Sequence, residues 1–195
     1  MSMIVSMAAF ALASSISPGP VNVVALGSGA RYGFTASMRH VTGATIGFCL
    51  LLLLTGLGLH ELLARWPQLA SAITWSGAAF LLFMAYRLAR DSGELEAGDA
   101  AKRPSLAYGA AMQWLNPKAW LAAVAGMGTY AANGESAAVW LFTGVYFVIC
   151  YASIACWAWA GASLQKYLRD ARRVRVFNLA MAVLLAGSVF LLLKG

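Results

Sequence analysis

Six long stretches of this 195-residue chain are almost free of charged side chains, and they fix its surroundings before any other feature is weighed. They run approximately over Ile4–Ala30, Val41–Leu59, Leu69–Tyr86, Leu106–Ala132, Ala137–Ser163 and Val174–Leu193. Crossing a bilayer as a helix takes about twenty apolar residues, and each stretch is close to that length or longer. Charged residues make up 11% of the chain, against about 25% in an ordinary soluble domain, so there is too little charge to cover a water-exposed surface. The chain is expected to be an all-α integral membrane protein with six transmembrane helices. The first sixteen residues lack a basic flank and run into Ser17-Pro18-Gly19-Pro20 rather than a small-residue cleavage site, so no cleaved signal peptide is expected.

A net charge of +7 could point to a phosphate backbone as partner. Its distribution argues otherwise, because the Lys and Arg residues cluster beside apolar spans as cytoplasmic flanks do. No nucleic-acid partner is expected, and the partner surface is membrane lipid. Cys49, Cys150 and Cys156 all lie inside apolar stretches, remote in sequence from the proline breaks, and read as small packing residues. Neither a metal site nor a cofactor is expected.

Two spans contain breakers. The first carries Ser17-Pro18-Gly19-Pro20 and the fourth Asn116-Pro117-Lys118, and proline inside a helix removes a donor and clashes one turn back. Pro18 is followed by Gly27 and Gly29, and Pro117 by Gly126 and Gly128, so one pattern recurs at an offset of 99 residues. Each copy opens a half of three spans, and halves with an odd number of spans must lie inverted in the bilayer. The expected architecture is therefore two inverted three-helix repeats with broken helices 1 and 4. Residues 1–90 form the first repeat, 91–104 a cytoplasmic linker and 105–195 the second repeat, all within one membrane domain.

Orientation follows from the short loops. Those after spans one, three and five hold two, four and five Lys or Arg residues, whereas those after spans two and four and the C-terminus hold one, none and one. Eleven against two places the basic loops in the cytoplasm and both termini outside, in the periplasm of a bacterial cell.

Lys118 is the single ionised side chain at membrane depth. It lies twelve residues from Leu106, about 18 Å at helical rise, which is far to snorkel and favours a wet cavity. A broken helix frees carbonyls before the break and amides after it, and transporters use such half-helix ends to hold polar groups. The amides after Pro20 and Pro117 suit a carboxylate, Lys118 would neutralise it, and carbonyls near Ser17 and Asn116 suit an ammonium. Ser17, Pro18, Gly19, Pro20, Asn22, Asn116, Pro117 and Lys118 are thus the candidate binding residues for a zwitterion. Asn22 and Asn116 have a plainer alternative role, capping the broken backbone. Gly29-x-x-x-Gly33 and Gly43-x-x-x-Gly47 suit close helix packing. Trp66, Trp75, Trp114, Trp140, Trp157 and Trp159 are expected at lipid or interface, and so is His40, with a proton-coupling role as its alternative.

These motifs together resemble the lysine exporter superfamily, particularly its homoserine/threonine resistance branch. Ser17-Pro18-Gly19-Pro20 with Gly27 and Gly29, then Gly43, then Asn116-Pro117-Lys118-Ala119 carry the resemblance, which covers nearly the whole chain. It implies a secondary transporter, not an enzyme, that exports amino acids across the bacterial inner membrane, driven by the proton gradient and open to assembly as a homodimer. Lys118 without any membrane-depth carboxylate favours small neutral amino acids or their derivatives as substrate. A cationic amino-acid or metal-ion exporter of the same superfamily is the alternative. A membrane-embedded thiol-disulfide protein is the competing class, and it lacks a reactive cysteine pair near either break.

Overall fold

The computed structural model describes residues 2–59, 65, 67–90, 105–132, 135–167 and 170–194. The expected linker over 91–104, with its basic and acidic residues, and Trp66 lie outside the described residues. Every regular element among the described residues is helical: α1 (Met3–Ile16), α2 (Pro20–Tyr32), α3 (Phe34–Leu54) with a π-helical extension over Thr55–Leu59, α4 (Pro67–Arg90), α5 (Leu106–Trp114), α6 (Pro117–Tyr130), α7 (Ser136–Leu164) and α8 (Ala171–Lys194).

Both expected breaks are present, and local chemistry sets each one. Ser17 precedes a proline and is extended, at φ −64° and ψ 142°, as the crowding of the proline ring demands. Gly19 is extended as well, and Pro20 then starts α2 at its first helical position, where its missing N–H is no loss. At the second break Asn116, also before a proline, is extended at φ −96° and ψ 105°, and Pro117 starts α6. Gly33 ends α2 with φ +82°, a conformation that favours glycine, and the chain passes directly into α3.

The segment Phe34–Gly58 and α7 are each long and apolar enough to cross a bilayer, and α1 with α2 makes a third such length bent by 62°. Large apolar side chains face outward, Val148 at 66% and Trp159 at 64% exposed, which suits lipid and not water. The buried core runs through α1, α2, α3, α6 and α7, with Met7, Leu51, Phe142 and Tyr146 at its centre. A smaller cluster of Ala85, Met181 and Ala182 joins α4 and α8 to Val23 and Leu26 of α2.

Close packing depends on bare backbone. A Cβ on Gly29 would overlap the carbonyl of Ala158, and one on Gly161 would overlap the carbonyl of Leu26, so α2 and α7 touch main chain to main chain. Gly43 and Gly47 meet Leu106 and Ala110 of α5 in the same way, as expected of small-residue stripes. The glycines that share the 99-residue offset are used differently in the two halves. Gly29 and Gly126 are crowded, whereas Gly27 and Gly128 face open space.

Candidate functional site

Helix α1 ends inside the protein, where the carbonyls of its last turn have no partner within the helix. Those of Ser14, Ser15 and Ile16 are met by side-chain donors. The Ser17 hydroxyl donates to Ser14 O at 3.3 Å, and the Asn22 amide donates to Ser15 O at 2.7 Å and to Ser17 O at 3.0 Å. The Trp157 indole donates to Ile16 O at 3.0 Å. Lys118 completes the set from the other half of the chain, its Nζ donating to Ser17 O at 2.8 Å, Ser17 Oγ at 2.7 Å and Pro18 O at 3.3 Å. An ammonium at the negative end of a helix dipole is favourably placed, so Lys118 ties the two breaks together without a carboxylate.

The two helix starts beyond the breaks differ. Asn116 caps α6, its side chain accepting from the Lys118 amide at 3.2 Å. Gly19 caps α2 with no side chain at all. A Cβ on Gly19 would stand 3.4 Å from Lys118 Cδ and 3.5 Å from its Nζ, ordinary contact distances, so the ammonium lies beside the start of α2. The positive end of α2 and the charge of Lys118 therefore converge on one spot, an arrangement suited to an anionic group.

That spot opens into a partly open cavity of about 40 Å³, room for roughly three waters. Ser14, Ser15, Asn22, Gln113, Asn116 and Lys118 supply its polar wall; Val21, Phe48, Ala119, Ala122 and Ile154 supply the apolar one. No acidic residue is among the described residues that line it.

Of the candidate binding residues, Gly19, Asn22, Asn116 and Lys118 line this cavity. Ser17 and Pro18 meet Lys118 at its edge, and Pro20 and Pro117 are buried as the first residues of α2 and α6. The capping role weighed for the two asparagines is what both perform. The Ser17 carbonyl, expected to be open to an ammonium, is already taken by that of Lys118.

Several assignments change. His40 is not at an interface: it is fully buried, its Nε2 lies 3.3 Å from Val21 O, and its Nδ1 has no partner among the described residues. Trp157 serves α1 through its indole N–H, and Trp114 donates to Gly47 O at 3.2 Å, whereas Trp75, Trp140 and Trp159 are exposed as expected. Cys150, remote from the breaks in sequence, lines the cavity together with Tyr146. Ser14, Ser15 and Gln113 were readable only as near neighbours of the breaks, since nothing in an apolar helix marks which turn faces a cavity.

A family model described as LysE type translocator matches residues 12–195. The chain is 30% identical over 179 residues to cysteine/O-acetylserine efflux proteins of Escherichia coli strain K12, Shigella sonnei and Shigella flexneri, each alignment covering 90% of both chains. No solved structure matches the chain.

Proposed function

The chain belongs to the LysE type translocator family, and on that premise we propose that it exports a small neutral amino acid, or a derivative of one, across the bacterial inner membrane through the cavity between its two helix breaks. The observation that carries this proposal is Lys118, whose ammonium bridges the end of α1 to the start of α2 at the cavity wall. The substrate carboxylate binds between Lys118 and the uncapped start of α2. Gly19, Asn22 and Asn116 shape that position, and Ser17, Pro18, Pro20 and Pro117 hold the breaks open. A translocator is not an enzyme, and the named relatives act on cysteine and O-acetylserine, both small amino acids without net charge on the side chain.

A cationic substrate, organic or metallic, fits poorly, because it would face Lys118 with no acidic side chain on the lining to offset the repulsion. The six-span architecture of two inverted repeats, 1–90 and 105–195 joined by the 91–104 linker, is supported by both breaks meeting at one cavity. The unequal use of the offset glycines suits a carrier whose halves exchange roles between inward and outward states. Export is coupled to the proton gradient, both termini are periplasmic, and the carrier works as a monomer or homodimer in lipid.

The test is transport of a radiolabelled amino-acid panel in proteoliposomes, with and without an imposed pH gradient. Transport of neutral members, accelerated by the gradient, is expected. Transport of lysine or arginine alone would replace the substrate class, and no pH effect would remove proton coupling.

A further inference from the structure

The last turn of α1 holds a side chain that the capping network leaves out. Ser15 is 8% exposed and lines the cavity, and its hydroxyl makes no well-formed hydrogen bond among the described residues, the Tyr146 hydroxyl and the Cys150 thiol being its polar neighbours. Hydroxyls in apolar helices ordinarily bond back to the carbonyl one turn earlier. Thr45 does so to Val41 O at 2.9 Å, Thr55 to Leu51 O at 2.7 Å and Ser163 to Trp159 O at 2.9 Å. Ser15 does not. Thr143 and Ser153 of α7 also lack partners among the described residues, but of the three Ser15 alone lines the cavity, with its own carbonyl fixed by Asn22 at 2.7 Å. The backbone is held and the hydroxyl is left to the cavity, an expensive arrangement unless something polar arrives to meet it.

We propose that Ser15 is a specificity-determining residue that hydrogen-bonds a hydroxyl, thiol or ester oxygen on the β or γ atom of the exported amino acid. This rests on the proposed export through the cavity, and it concerns the side chain of the substrate where the earlier proposal concerned its carboxylate. Ser15, on α1 before the first break, and Lys118, on α6 after the second, line the same cavity. A substrate whose carboxylate occupies the spot where Lys118 meets the start of α2 can extend its side chain toward Ser15. Tyr146 and Cys150 line the same cavity and add polar atoms, while Phe48 and Ile154 limit bulk. The class selected is a short, uncharged amino acid carrying one hydrogen-bonding atom beyond the α carbon, in preference to its aliphatic counterpart.

The experiment compares substrates that differ by that atom, serine against alanine and cysteine against 2-aminobutyrate, competing for efflux from proteoliposomes. The readout is the preference ratio within each pair, independent of absolute rate. The parent should prefer the hydrogen-bonding member, and Ser15→Ala should reduce that preference about 3- to 10-fold, the scale of one neutral hydrogen bond. Ser15→Thr keeps a hydroxyl and should retain the preference. Ser15→Cys offers a weaker partner and should give an intermediate ratio, which serves if the alanine variant does not assemble. Unchanged ratios in Ser15→Ala or Ser15→Cys overturn the assignment while leaving amino-acid export intact. Failure of the parent to transport any of the four overturns the assignment together with export.

Discussion

Lys118 and Ser17 stand 101 residues apart in the chain, yet the ammonium of one donates to both the carbonyl and the hydroxyl of the other, at 2.8 and 2.7 Å. The contact joins the two broken helices at their breaks. It makes Lys118 both a support for α1 and the cation beside the start of α2.

Replacing this side chain separates the two duties. Lys118→Gln can still donate to Ser17 but carries no charge, and it should lower export roughly 10- to 150-fold, the worth of about 1.5–3 kcal/mol for a hydrogen bond to a charged group. Lys118→Arg keeps the charge but puts a planar guanidinium where an ammonium meets Ser17 O, Ser17 Oγ and Pro18 O, and should also export poorly. Efflux at matched membrane abundance measures both. Normal export by Lys118→Gln would leave Lys118 a purely structural role.

Asn22 is the only donor described for the Ser15 carbonyl. Asn22→Ala should lower stability by about 1–3 kcal/mol, the cost of a buried acceptor left unmet. Trp157→Phe, which keeps the ring but removes the donor to Ile16 O, should act in the same direction. Thermal unfolding in detergent reports both, and an unchanged midpoint in either would show that water replaces the lost donor.

The glycines of α2 make a sharp contrast. Gly29→Ala drives a methyl into the Ala158 carbonyl and within 2.9 Å of Ala162 N, so α2 and α7 must separate, at a cost of about 1–3 kcal/mol or more. Gly27→Ala, two residues away, meets no described atom within 4 Å and should be neutral or stabilising by up to about 1 kcal/mol through helix propensity. The melting temperature should fall for Gly29→Ala and hold or rise for Gly27→Ala.

Topology is checked with reporters. Eleven Lys or Arg residues against two in alternate loops lead to an active periplasmic reporter fused after Gly195 and an active cytoplasmic one within 91–104. The reverse pattern would invert the direction assigned to the whole protein.

The helix breaks were legible because proline acts locally: Ser17 and Asn116 become extended whatever surrounds them. Lys118 was legible because a charge at membrane depth demands a reason. Its donation to the Ser17 carbonyl was not, since no pattern in the sequence says which helix lies opposite. The same holds for Trp157, 141 residues from Ile16, and for Cys150 and Tyr146. Helix α7, which carries all three, is apolar on every side, so periodicity cannot mark the face it turns inward. His40 misled for a related reason. Its place between Arg39 and an apolar span looks interfacial, yet α3 already packs against α5 at this level, where Gly109 fits over the His40 carbonyl.

That Lys118 has no carboxylate partner among the described residues has a consequence for the cell as a whole. Its charge is met by carbonyl oxygens and the end of a helix, which neutralise it only in part. A sodium or potassium ion reaching the same break would come within a few ångströms of a fixed positive charge, and at 4 Å and an effective dielectric of 20 that repulsion is about 4 kcal/mol. If the cavity is the export pathway proposed above, a route wet enough for an amino acid is thereby made hostile to the cations on either side of it. On the proposed pathway, the residue that bridges the two breaks would also keep the exporter from acting as an ion leak.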